Sequence, residues 1–147
     1  MGGTDVAAPI VCGFDGSAGA HAAIKEAVAV ARAFNESLVV AFAYGQNPVG
    51  GVTGDVKREV EHIGDAFLEE ATQIVHELDP ALGVEAMDID AEPVDGLIEI
   101  GRERNARMIV IGGNTTGPFW GSIVHAQSYR LINESHIPVL VVQPPDA

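Results

Sequence analysis

Cationic side chains are scarce in this chain. Its 147 residues include two lysines, Lys25 and Lys57, and only eight lysines and arginines in all, against 21 aspartates and glutamates. The formal net charge is −13. So acidic a surface repels nucleic acid and anionic lipid, which excludes both as expected partners. The same acidity is the ordinary solvated face of a soluble protein. Cysteine is almost absent too. Cys12 stands alone, so no intrachain disulfide can form. Its place in an apolar run reads as a small buried hydrophobe and not a reactive thiol. No apolar run is long enough to cross a bilayer. The opening residues, MGGTDVAAPIV, carry neither a basic segment nor a signal-like stretch. These absences together lead to the expectation of a reducing, cytoplasmic setting with no membrane partner.

Several chemical signatures are missing as well. There is no GxxxxGK[ST], hence no P-loop. Gly13, Gly16 and Gly19 of GFDGSAG have the wrong spacing for a dinucleotide fingerprint. His21, His62, His76, His125 and His136 show no zinc spacing, and no metal site is expected. No repeat or low-complexity tract interrupts the sequence.

What is present is an alternation of strands and helices along the whole chain. Residues 9–14 (PIVCGF) form a short apolar run that suits a strand buried on both faces. Ser17 can cap the following helix, in which Ala23, Ile24, Ala27, Val28 and Ala31 fall on one stripe and Asn35 ends the pattern. Residues 37–44 (SLVVAFAY) are the second strand. Residues 45–54, with four glycines and a proline, read as a mobile cover or an interaction loop. A long amphipathic helix follows over residues 55–78, with Val60, Ile63, Phe67, Ala71, Ile74 and Val75 as its buried stripe, and Pro80 stops it. Residues 84–89 make a more polar strand near an edge. Pro93 opens a third helix that continues to Asn105. Residues 108–111 and 139–142 are two further strands, with a glycine-rich loop and a fourth helix between them.

This order implies one domain over residues 1–147. It is an open, Rossmann-like α/β fold, a parallel sheet with right-handed crossovers and helices on both faces. Such folds bind ligands at the carboxyl ends of strands, where strand order reverses. The turns leaving strands one and four, GFDGSAG and GGNTTG, are both rich in glycine, and side by side they would build one cleft. A strand, a glycine loop and a helix N-terminus also make an anion-binding geometry, because free N–H groups converge there.

At this point the chain resembles the universal stress protein family over essentially its whole length. The resemblance rests on the turn Phe14-Asp15-Gly16-Ser17, the turn Ala91-Glu92-Pro93, the run Ile109-Val110-Ile111-Gly112 and the run Ile137-Pro138-Val139-Leu140-Val141-Val142, in that order and spacing. It implies five strands in the order 3-2-1-4-5. It also implies homodimers paired through the last strand, here Pro138, Val139, Leu140, Val141 and Val142. That strand is short and strongly apolar, and an unpaired edge of this kind is a liability.

Many family members bind ATP through the pattern G-x2-G-x9-G-[S/T]. Counting back from Pro138 without gaps places Gly112 first, Thr115 second, His125 third and Ala126 fourth, with Ser128 matching a further serine. Only Gly112 of the four defining positions is kept. Thr115 disfavours the positive φ that glycine adopts freely. His125 puts an imidazole where backbone must come close, though it is also a candidate phosphate contact or pH-dependent cation, against a plain helix-start residue. Ala126 lacks the hydroxyl. Pro118 removes a backbone N–H. Arg130 is the one other local cation. A compensating register exists at Gly121-Ser122, with Ser122 as helix cap and anion site. At the other end of the cleft, Asp15 matches the family's aspartate, and Ala43 matches the strand-two position whose backbone meets adenine. Asp15 has an equally good reading as a turn residue bonded to its own loop. Phe119 and Trp120 either cap the core or serve a partner contact.

The expectation is a dimeric stress-response sensor or adaptor with a weak site for ATP or another adenine nucleotide, and Mg2+ as the companion ion. The alternative is a relative that has lost ATP and works only through dimerisation and unnamed protein partners. An enzyme is not expected, since no positioned base, lysine or second acidic metal ligand stands near the loop, although slow ATP hydrolysis stays open.

Overall fold

The most apolar runs occupy the middle of the sheet. The computed structural model describes residues 7–44, 54–113 and 125–145. Among these residues the elements alternate as β1 (Ile10–Gly13), α1 (Ala18–Phe34), β2 (Leu38–Ala43), α2 (Gly54–Leu78), β3 (Val84–Ile89), α3 (Pro93–Glu103), β4 (Met108–Gly112), α4 (His125–Ser135) and β5 (Val139–Val142). All strand pairs are parallel, and the order is β3-β2-β1-β4-β5. Every residue of β1 and β2 is buried, as continuous apolar strands covered on both faces must be. The edge strands are more exposed. In β3, Glu85, Ala86 and Asp88 are exposed, and Val84, Met87 and Ile89 are half-buried. β5 is half-buried throughout. Contacts place α1 and α2 together on one face and α3 and α4 together on the other.

Local chemistry sets the ends of the elements. Ser17 caps α1, its Oγ accepting from the Ala20 N–H at 3.1 Å. Asn35 closes α1 in the left-handed region at φ 56°. The expected stripe Ala23, Ile24, Ala27, Val28 and Ala31 is buried. Pro93 opens α3 at its first turn. The sequence carried α3 to Asn105, but the helix ends at Glu103, because Asn105 turns to φ 52°. The expected stripe of α2 needs one correction. Ile63 is 37% exposed, while Leu68 is buried in the core. Gly64 takes the inward place next to Ile63, since a Cβ on Gly64 would lie 2.5 Å from the Phe42 ring. α2 therefore rolls so that its backbone at Gly64, not the Ile63 side chain, meets β2.

Candidate functional site

β1 and β4 are neighbours, and the chain leaves them toward opposite faces of the sheet, to α1 and to α4. This is the point where strand order reverses and where open α/β sheets hold ligands. The first turn, residues 13–19, and the start of the second, Gly112 and Gly113, are therefore side by side, and the rest of the second turn lies outside the described residues.

The first turn is tightly built. Phe14 N–H donates to the Ala41 carbonyl at 2.9 Å, continuing the β1 ladder one residue past the strand. The chain then reverses at Gly16, whose φ of +80° favours glycine. The space is closed as well, because a Cβ there would lie 2.4 Å from the Phe67 ring on α2. Asp15 is 3% exposed. Its Oδ1 accepts from the Ser17 N–H at 3.0 Å, the Asx-type bond that a turn aspartate makes. Its Oδ2 is buried and, among the described residues, has no hydrogen-bond partner. A buried carboxylate oxygen left bare costs about 1–3 kcal/mol or more. The two readings of Asp15 thus divide between its two oxygens. Oδ1 holds the turn, and Oδ2 has no donor among the described residues.

The second turn begins at Gly112. A Cβ on Gly112 would lie 2.3 Å from the Gly19 carbonyl carbon and 2.8 Å from the Ala20 nitrogen. The carboxyl end of β4 therefore rests on the backbone of the first turn of α1. The one kept position of the nucleotide motif is demanded by packing, whatever it does for phosphate.

Ala43 is the last residue of β2, two beyond Ala41, which is paired with the end of β1 at Gly13. Tyr44 N–H donates to β3 at Ile89, and Ala41 accepts from the β1 side, so the alternation of a parallel ladder turns the Ala43 N–H and C=O toward the β1 side. There β1 has already ended, at Gly13. Ala43 itself is buried, and its methyl points toward Gly96 of α3.

Asp15, Ala43 and Gly112 are thus collected at one end of the sheet. Ser128 is half-buried near the start of α4. Thr115, Gly121 and Ser122 lie outside the described residues, as do Pro118, Phe119, Trp120 and residues 45–53. His125 and Ala126 begin the described part of α4, but their side chains lie outside it, so the compensating register at Ser122 remains an expectation.

Arg130 turns out to be committed elsewhere. Its guanidinium bonds Glu134 at 2.9 Å, Glu92 at 3.2 Å and Asp95. Asp95 first, then Glu134 and Glu92, push the arginine further above its already high value. This cation ties α4 to the start of α3 and is not a spare phosphate ligand. Cys12 behaves as expected. It is buried, and burial pushes its thiol up to about 12. Among the described residues no group of histidine, cysteine and acidic side chains is placed to hold a metal.

Sequence reasoning missed the clasp beside the site. His21 packs edge-on to Phe14 with ring centroids 5.1 Å apart, its Nδ1 lies 2.8 Å from the Ser17 carbonyl, and its Nε2 lies 3.2 Å from Glu70 of α2. With Phe67 over Gly16, this fastens α2 onto the β1–α1 turn. No local signal announces it, since the partners come from elements far apart in the chain.

With this geometry in hand, comparison with known proteins gives a consistent picture. The model of the Universal stress protein family matches residues 8–143. A universal stress protein of Mycolicibacterium smegmatis is 29% identical over 139 residues, which is 92% of this chain and 46% of that protein. The chain thus spans about half the length of this curated relative. Among solved structures, a universal stress protein in complex with cAMP superposes with a TM-score of 0.73 at 24% identity, covering 96% of this chain and 100% of the other. A universal stress protein from Archaeoglobus fulgidus in complex with dAMP gives 0.67 at 22% identity, covering 93% and 98%. These likenesses bear on the fold.

Proposed function

We infer that this chain, which belongs to the universal stress protein family, is a dimeric stress-response sensor or adaptor that takes an adenine nucleotide at the β1–β4 cleft. The buried Oδ2 of Asp15, without a hydrogen-bond partner among the described residues, carries the reading. A ribose hydroxyl, the adenine amine or a magnesium ion with its water would satisfy that oxygen. The turned-out backbone of Ala43 adds a donor and an acceptor of the kind an adenine edge needs. The solved structures of universal stress proteins in complex with cAMP and dAMP make this nucleotide class the natural first choice.

The site is a weak one for a triphosphate. Arg130 is bound by three carboxylates, and the chain as a whole is strongly acidic. A nucleotide with fewer phosphates fits this charge better than ATP. The same facts favour the second reading, in which the cleft no longer binds nucleotide and the protein acts through its dimer and its partners. Neither reading requires catalysis. In both, the dimer would form along β5, from Pro138 to Val142, with the exposed Tyr129 and Ile132 of α4 as further apolar surface. No helix among the described residues is long and apolar enough to cross a membrane, and a cytoplasmic setting belongs to the same proposal.

Calorimetric titration with ATP, ADP, AMP and cyclic AMP, with and without magnesium, tests the first reading. Micromolar binding that falls at least tenfold in Asp15→Asn supports it, since a hydrogen bond to a charged group contributes about 1.5–3 kcal/mol. No heat with any of the four, and no nucleotide carried through purification, leaves the second reading. The triple change Thr115→Gly, His125→Gly and Ala126→Ser should strengthen ATP binding, and unchanged affinity would count against the gapless register.

A further inference from the structure

The edge of the sheet opposite β5 carries an unexplained feature. An open groove of about 970 Å³ runs between the outer face of α2 and β3. Asp65, Glu69, Glu77, Glu85 and Asp88 line it, against a single imidazole, His76. Among the described residues no strand pairs with the outer side of β3. The backbone there is oriented for pairing. Gly83 and Ile89 present their carbonyls to β2, accepting from Leu38 at 2.9 Å and Tyr44 at 3.1 Å. The ladder's alternation therefore sends the N–H and C=O groups of Val84, Ala86 and Asp88 outward.

The negative charge of the groove is crowded. Asp88 on β3 lies beside Asp65 on α2, and Glu61, also on α2, adds its field. Desolvation first, and then Asp65, raise the Asp88 carboxyl above its ordinary value. On the α3 side of the strand, Glu85 is already answered by Arg104, with the second bond of the pair at 2.7 Å. The α2 side has no comparable cation among its lining residues. A charged edge is one way to block self-pairing. By the same logic a second copy of this chain is repelled here, so the occupant must bring positive charge.

We propose that the β3 edge and the acidic groove under α2 form a docking surface for an extended basic segment of a partner protein, which adds to the sheet as a sixth strand with lysine or arginine at alternate positions facing Asp65, Glu69 and Asp88. The backbone of β3 supplies affinity, and the α2 carboxylates select the sign and the register. The surface is separate from both the nucleotide cleft and the β5 edge, so a dimer would present it twice.

The test uses the full chain, nitrogen-15 labelled, and the blocked peptide acetyl-(Lys-Val)4-amide. The expected result is peptide-induced shifts and slowed hydrogen exchange at Val84, Ala86 and Asp88. A (Glu-Val)4 peptide should not bind. A (Lys-Pro)4 peptide, equal in charge but without the alternate N–H groups, should bind at least tenfold more weakly. Asp65→Asn combined with Asp88→Asn should weaken (Lys-Val)4 binding about tenfold, through the loss of two surface charge pairs. Ala86→Pro keeps every carboxylate, removes one outward N–H, and should have a like effect. The proposal is overturned if (Lys-Pro)4 or spermidine binds as tightly as (Lys-Val)4, if the shifts spread over the acidic surface away from β3, if Ala86→Pro binds like the parent, or if (Lys-Val)4 does not bind.

Discussion

Gly112→Ala isolates the closest contact in the cleft. The added methyl would sit 2.3 Å from the Gly19 carbonyl carbon, 2.5 Å from its oxygen and 2.8 Å from the Ala20 nitrogen. All three neighbours are backbone atoms in the first turn of a capped helix, so no side chain can swing away. Relief requires β4 and α1 to separate. Overpacking costs about 1–3 kcal/mol, and a purely backbone obstruction belongs at the upper end. At roughly 2.1 cal/mol/K of unfolding entropy per residue, a chain of this length loses about 3 °C per kcal/mol, so the melting temperature should fall by about 10 °C. Gly96→Ala is the matched control. Its methyl would meet the Ala43 Cβ at 3.4 Å, an ordinary contact, in the interior of α3. Alanine there should raise stability by up to about 1 kcal/mol through helix propensity. Thermal melts by circular dichroism of the two variants and the parent decide the matter. If Gly112→Ala melts within 2 °C of the parent, the reasoning that packing alone keeps this glycine is wrong, and its retention must be sought in ligand binding.

Further outcomes follow from the same structure. Asp88 has its folded pKa raised above the ordinary 3.8, so the folded state holds its proton more tightly than the unfolded chain. The stability Asp88 contributes should therefore decline as pH rises from about 3.8 through the raised value, and Asp88→Asn should remove that contribution from the slope of melts taken between pH 3 and 7. A parent-like slope in the variant would contradict the assignment. Cys12, with its thiol at about 12, should resist maleimide at pH 8 in the native protein and react at the ordinary rate in denaturant, followed by mass spectrometry. Arg130→Gln should speed amide exchange in α4 before the rest of the sheet and lose much of its effect at high salt, because the ion pairs it removes are exposed. Replacing Ile132 and Leu140 with lysine should convert a dimer to a monomer by sedimentation, and an unchanged dimer would place the interface elsewhere.

The sequence by itself determined the elements, their order and the class of sheet. Runs such as IVCG and LVVAFA have no polar face to give to water, so they must be central strands with helices on both sides. Ser17, Asn35, Pro80 and Pro93 carry their instructions locally, which is why the helix ends could be read within a residue or two. Gly112 and Asp15 were legible as site candidates for the same reason, as members of short turns.

Tertiary structure alone decided what these residues touch. Periodicity placed Ile63 on the buried stripe, but the approach of α2 to β2 at Gly64 turned it outward. Gly112 stood out in the sequence as the kept position of a nucleotide motif, and only the fold showed that α1 rests on it. Arg130 was legible only as a cation near the loop, and its partners Glu92 and Asp95 come from the start of α3. The division between the two oxygens of Asp15 and the clasp of His21 with Glu70 were beyond sequence reading for one physical reason. Burial and pairing are properties of neighbours, and in a parallel sheet the neighbours of a turn come from strands and helices that the chain reaches only after long crossovers.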